Sequence, residues 1–349
     1  MRSLDHRFSA IRARLDGALA STACLDTIAQ RARELPDHWI NQFGFECRLG
    51  DPDPALDFAV ALMRREGVEA LAALGSNHPG PEAEALRRLA EAWADPRSLL
   101  GAGVPVVWLE FDLAKSLGPT GVPSLFLGLG SRDTELETGL EGLLALRGAP
   151  LCPAVSASLS ACFARLPPGT RVPFLGLLLS RPDAAIRVCV NRLPLDGVLP
   201  YLKALGWPGD SGRLRTLLDL ALGPFDQVLL AFDLDAKGSL GERIGIECYA
   251  ARTGWLSTRA FWSRTLDRLT DQGLCLPAKR DGVMAYGGFT RMDAAGAGLL
   301  PGRGPLLALM GTVNHLKLVL EPTGRVEAKA YLCVHDCAPA PPDEWGPEP

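Results

Sequence analysis

Residues 41–49 (NQFGFECRL) alternate apolar and polar: Phe43, Phe45, Cys47 and Leu49 share one side, and Gln42, Gly44, Glu46 and Arg48 the other. A period of two marks a strand with two unlike faces. The same split recurs along the chain. Val107, Leu109, Phe111 and Leu113 oppose Trp108, Glu110 and Asp112; Ile186, Val188 and Val190 oppose Arg187, Cys189 and Asn191. Ile244, Ile246 and Cys248 oppose Arg243, Gly245, Glu247 and Tyr249. Near the C-terminal end, Leu316, Leu318 and Leu320 oppose His315, Lys317 and Val319, and Ala328, Ala330, Leu332 and Val334 oppose Glu327, Lys329, Tyr331 and Cys333.

These strands come in pairs joined by Gly-, Pro- or Asp-containing turns, which reads as five hairpins: 41–49 with 55–62, 106–113 with 124–129, 174–179 with 186–191, 227–234 with 243–250, and 315–320 with 326–334. The segment 55–62 (ALDFAVAL) also reads as the start of a helix. Leu and Ala recur at three- and four-residue spacing over 7–34, 83–95, 134–147, 195–205, 212–222 and 258–272, with Arg and Glu on the other faces, so amphipathic helices separate the hairpins. The expected class is α/β of the α+β type. Ten antiparallel strands leave two open edges unless the sheet closes. A closed barrel would turn the polar faces into a lumen, whereas an open sheet would turn them to solvent.

Composition narrows the picture. The chain has 349 residues, of which 47% are hydrophobic and 22% charged, enough for a large core. We expect one domain over 1–338 and a Pro-rich tail over 339–349. A net charge of −4, with both signs interspersed, gives no footprint for nucleic acid or an anionic membrane. No apolar run reaches the ~18 residues of a membrane span, and the first residues lack the apolar core of a signal peptide. The nine cysteines are scattered and read as reduced thiols of a cytoplasmic protein. Gly209-Asp210-Ser211-Gly212 is read as the start of a helix, Asp233-Leu-Asp235 as turn chemistry, and Cys333-Val-His335-Asp-Cys337 as a strand end without the paired spacing of structural zinc.

Five helix-flanked hairpins in a chain of this length resemble the ABBA prenyltransferase barrel over about residues 40–335. The resemblance implies a ten-stranded antiparallel β-barrel ringed by α-helices. It also implies inward Lys-x-Tyr pairs, in which Lys and Arg bind a diphosphate and Tyr shields an allylic cation. Lys329-Ala-Tyr331 matches that pattern. Lys317-Leu-Val319 keeps the Lys, Glu247-Cys-Tyr249 keeps the Tyr, and Arg187-Val-Cys189 supplies a cation alone.

The implied activity is transfer of an isoprenyl group from an allylic diphosphate to an aromatic, amine or peptide side-chain acceptor. Ionising such a donor releases an anionic leaving group, so cations must converge where that charge develops. Arg48, Arg187, Lys317 and Lys329 are the candidates for it. No Asp-Asp dipeptide is present, so magnesium and other cofactors are not expected. Trp108, Tyr249 and Tyr331 are the candidates to shield the carbocation. Glu46 and Glu110, with Asp112 third, are the candidates to orient the acceptor or take its proton. Other readings stand beside this one: a purely structural ion-pair network, a non-catalytic binding protein accessory to natural-product biosynthesis, or unrelated chemistry using Glu46, Glu110 and Glu247.

Overall fold

Strands that alternate in polarity pair in chain order and bury their apolar side under helices. A computed structural model describes residues 3–15, 17–77, 80–113, 123–130, 134–179, 185–221, 225, 227–250, 255–292, 299–300, 304–305 and 308–337. The expected 339–349 tail lies outside the described residues. Its strands are β1 (Ile40–Arg48), β2 (Leu56–Met63), β3 (Val106–Phe111), β4 (Ser124–Gly128), β5 (Arg171–Leu177), β6 (Ile186–Pro194), β7 (Gln227–Leu234), β8 (Leu240–Tyr249), β9 (Gly288–Arg291), β10 (Leu299–Leu300), β11 (Gly304–Pro305), β12 (Ala308–Leu320) and β13 (Val326–Cys337). Each of β1 to β7 is antiparallel to the next, β8 pairs with β12, β12 with β13, and β13 returns to β1. This is a closed ten-stranded barrel. Closure leaves none of the ten with a free edge. The short β9 adds to the first residues of β12, and β10 pairs with β11.

Eleven α-helices are present among the described residues: α1 (Asp5–Ile11), α2 (Thr22–Glu34), α3 (Arg64–Asn77), α4 (Pro81–Ala94), α5 (Leu99–Gly103), α6 (Glu135–Arg147), α7 (Pro153–Ala164), α8 (Leu195–Ala204), α9 (Ser211–Ala221), α10 (Trp255–Asp271) and α11 (Pro277–Tyr286). The expected helix over 7–34 is broken: Gly17 takes a left-handed φ of 88°, and the Ser21 hydroxyl then caps α2 by accepting from the Cys24 N–H. Residues 55–62 form a strand rather than a helix start; α3 begins at Arg64. Helices α3, α5, α7 and α11 have no counterpart in the sequence reading. Helix α7 (PAVSASLSACFA) shows why, since small residues surround it and no apolar stripe stands out.

The apolar faces of the strands and the inner faces of the helices make one core that runs from Leu4 to Val334. Phe45 of β1, Phe58 of β2 and Phe111 of β3 stack across neighbouring strands at 5.9 and 6.0 Å, and Phe8 of α1 reaches Phe45 at 6.1 Å. Each such side chain contributes ~1.5–3 kcal/mol on burial. Because that side is taken by the core, the opposite side of every strand is left to face the lumen.

Candidate functional site

Register decides which inward residues meet. Glu46 lies opposite Asp57 on one side and Tyr331 on the other, Lys329 opposite Arg48 and Lys317, and Lys317 opposite Glu247. Arg187 lies opposite Asp233, Ala59 opposite Glu110, and Trp108 opposite Phe126. A cavity of about 180 Å³ occupies the lumen, with Glu46, Trp108, Glu110, Arg187, Glu247, Tyr249, His315, Lys317 and Tyr331 on its wall. The Arg48 and Lys329 side chains are buried in the ion-pair layer beside it.

Each expected cation carries a carboxylate. Arg48 donates to Asp57 at 2.6 Å and lies 3.8 Å from Glu46; Lys329 donates to Glu46 at 2.6 Å and lies 3.6 Å from Glu327. Lys317 donates to Glu247 at 2.9 Å. Arg187 forks onto Asp233 through Nε and Nη2 at 2.7 and 2.9 Å. Asp233 is therefore half of a lumen ion pair, whereas Asp235 does serve the turn, accepting from the N–H groups of Lys237 and Ser239.

The two tyrosines of the expected set lean on these carboxylates: Tyr331 OH donates to Glu46, and Tyr249 OH donates to Glu247 at 2.9 Å. Burial would raise the Glu46 carboxyl, but Lys329, Arg48 and the hydrogen bonds from Lys329 and Tyr331 hold it far below the usual range. Burial likewise opposes Lys317 and His315 at Glu247, which the two hold down to about 2. Both are fixed anions. Burial, together with the adjoining carboxylate in each case, drives the Tyr249 and Tyr331 phenols well above their ordinary value, so both remain donors.

Glu110 is different. Among the described residues it makes no hydrogen bond or ion pair. Burial, then the charges of Glu46 and Asp112, push its carboxyl up to about 7 against the pull of Arg187 and Lys317. It is the one expected site carboxyl poised to exchange a proton near neutrality.

His315 and Asn314 belong to this site although only the alternation of His315 with Lys317 hinted at either. Strand β12 bulges at Asn314, which brings the Asn314 amide to His315 Nδ1 at 3.1 Å. The imidazole lies between two tyrosines, stacked on Tyr331 at 4.1 Å and tilted on Tyr249 at 4.7 Å. Burial lowers it to about 4 despite Glu247, so it is neutral at pH 7. The neutral ring adds a fourth aromatic face to the three expected for shielding, Trp108, Tyr249 and Tyr331.

Elsewhere, Asp210 accepts from the N–H groups of Gly212 and Arg213 and so starts α9, and His335 bonds Thr312 at the end of β13. Among the described residues no His, Cys, Asp and Glu side chains are grouped to hold a metal ion. Among them, too, no helix is long and apolar enough to cross a membrane.

A closed ten-stranded antiparallel barrel with helices around it and polar residues within is the ABBA prenyltransferase fold. Solved structures share it over nearly the whole chain. AnaPT from Neosartorya fischeri matches with a TM-score of 0.54 at 10% identity, over 94% of this chain and 91% of its own. NotF in complex with brevianamide F and DMSPP matches with a TM-score of 0.56 at 10% identity, over 95% of both chains. The NotF prenyltransferase structure gives 0.54 at 8% identity, over 95% of both chains. No protein-family model matches the chain, and no curated protein matches it by sequence.

Proposed function

We propose that this chain is a metal-independent prenyltransferase-like enzyme that moves a short isoprenyl group from an allylic diphosphate to an aromatic, amine or peptide side-chain acceptor. One observation carries the reading: Arg187, Lys317, Tyr249, Tyr331, Trp108 and Glu110 all border one lumen in a barrel of prenyltransferase shape. NotF, described with brevianamide F and DMSPP, lends support for an aromatic acceptor and a prenyl donor.

In this reading Arg187 and Lys317 meet the diphosphate, and Arg48 and Lys329 support it from the adjoining layer. The C–O bond to the diphosphate breaks, the allylic carbon bonds the acceptor, and the acceptor's proton passes to Glu110. Glu46, tied to Lys329 and Tyr331, positions rather than exchanges protons. Trp108, Tyr249 and Tyr331 face the cation and keep water from it. A cavity of about 180 Å³ is smaller than the ~300–1,000 Å³ of drug-sized pockets, which favours a five-carbon donor and a compact acceptor group.

A second reading, a non-catalytic small-molecule or peptide binder, draws on the ion pairs: a diphosphate must compete for Arg187 with Asp233 and for Lys317 with Glu247. Thermal-shift and product assays with dimethylallyl and geranyl diphosphate, each with and without magnesium, separate the two. A ligand at 100 times its Kd adds ~2.7 kcal/mol of stability. Stabilisation by dimethylallyl diphosphate without magnesium, followed by prenylation of an added aromatic amine, supports transfer. No shift with any allylic diphosphate rejects it and leaves the binder.

A further inference from the structure

One lumen carboxyl stands apart from the ion pairs among the described residues. The four cations, Arg48, Arg187, Lys317 and Lys329, are matched by Asp57, Asp233, Glu247 and Glu46, while Glu327 lies 3.7 Å from Arg48 and Glu110 stands apart. Five carboxylates thus lie on the four cations, and Glu110, which has Asp112 near it, makes no ion pair among the described residues. The space next to Glu110 is also kept clear: its neighbours across the sheet are Ala59 and Ser124, and Ala61 lies opposite Trp108. Gly176, opposite Phe126, has no side chain, and a Cβ there would come 2.6 Å from the Phe126 ring. Trp108, two residues from Glu110 on the same strand face, and Phe126 and Phe174 give an aromatic wall beside the carboxyl.

Elsewhere on the wall, buried His315 has Nε2 3.5 Å from the Glu247 carboxylate, so that side of the lumen has its charges matched whereas Glu110, among the described residues, does not. A carboxyl without a cation, set among aromatic faces, is the recognition chemistry of an organic cation: the charge pairs with the carboxylate while the π faces attract the adjoining N–H and C–H groups.

We propose that the lumen takes a ligand bearing a protonated amine or guanidinium, paired with Glu110 and flanked by Trp108, Phe126 and Phe174. This rests on the lumen being the ligand site, a premise shared by both readings of function, and it names the acceptor class within the first, where Glu110 takes a proton from the nitrogen, freeing its lone pair to bond the allylic carbon as the diphosphate leaves. A neutral indole or phenol could hydrogen-bond Glu110 but would not pair with its charge. An anionic acceptor would be repelled by the carboxylate.

The test is calorimetric titration of the full chain with four probes of similar size: phenethylamine, phenethylguanidine, 2-phenylethanol and 3-phenylpropionate. The expected order is the two cations ahead of the alcohol by about tenfold or more, with the carboxylate weakest, since a hydrogen bond between charged groups is stronger than one between neutral groups. Glu110→Gln is expected to bring the cation and the alcohol to within about twofold, and Glu110→Asp to retain the preference. Equal or tighter binding of the alcohol, an unchanged preference in Glu110→Gln, or no binding of either cation overturns the proposal. A parallel titration with dimethylallyl diphosphate keeps the two claims apart. Cation preference without diphosphate binding sinks prenyl transfer alone, and diphosphate binding without cation preference sinks this proposal alone.

Discussion

Glu110→Gln offers a test of the lumen electrostatics that needs no ligand. In the folded protein the carboxyl sits at about 7 against an ordinary 4.5, because burial and the charges of Glu46 and Asp112 resist its ionisation. At ~1.4 kcal/mol for each tenfold change in proton affinity, that displacement corresponds to an upper bound of about 3 kcal/mol. The sign follows from proton counting. Between about 4.5 and 7 the folded state holds a proton that the unfolded state has lost, so this residue favours folding at low pH and opposes it as pH rises through 7. Above 8 both states are ionised and the full penalty is present. Gln keeps the shape and removes the charge. The variant should therefore be more stable than the parent at pH 8 by up to about 3 kcal/mol, and within about 1 kcal/mol of it at pH 5. Urea unfolding at pH 5, 6, 7 and 8 measures this, and comparison at each pH cancels every other titrating group. A stability difference that stays constant across the series would refute the reasoning, because it would mean that Glu110 titrates alike in both states.

Lys329→Met should cost ~3–5 kcal/mol in denaturant unfolding, since it strands Glu46 in the lumen, and the double variant with Glu46→Gln should recover a large part of the loss. Additive single losses would show that the pair is not coupled. Glu247 sits at about 2, below its ordinary 4.5, so its pairing stabilises the fold fully above about 4.5 and fades as pH falls toward 2. Glu247→Gln should accordingly be less stable than the parent at pH 7, with the gap narrowing by pH 3 in the same unfolding assay. Gly44 faces inward on β1, and a Cβ there would overlap the carbonyl oxygen of Leu332 on the neighbouring strand. Gly44→Ala should lower stability by ~1–3 kcal/mol, as overpacking against backbone does, and a thermal midpoint equal to the parent's would contradict that geometry.

What the chain determined by itself is the face of each strand. The period-two alternation of Phe43, Phe45 and Cys47 against Gly44, Glu46 and Arg48 holds because a pleated strand can send side chains only to two sides, and burial of the apolar set against helices leaves the other set to the lumen. That rule brought Glu46, Trp108, Glu110, Arg187, Glu247, Tyr249, Lys317, Lys329 and Tyr331 to one interior. It could also have found Asp57, had that residue not stood in a segment that also reads as helix, whereas Asp233 follows the unbroken apolar run 228–232 beside a turn and shows no alternation.

Partnership is a different matter. That Lys329 meets Glu46 across 283 positions, that Arg48 takes Asp57, and that Asp233 takes Arg187 depend on cross-strand register and on β13 closing onto β1. Nor does alternation foresee the bulge at Asn314, where one unpaired residue brings an amide to an imidazole held between two tyrosines. Local polarity fixed which way each side chain points because strand geometry is local. Only the closed barrel decided which carboxylates meet cations and that Glu110 meets none among the described residues, because pairing depends on distances between segments far apart in the chain.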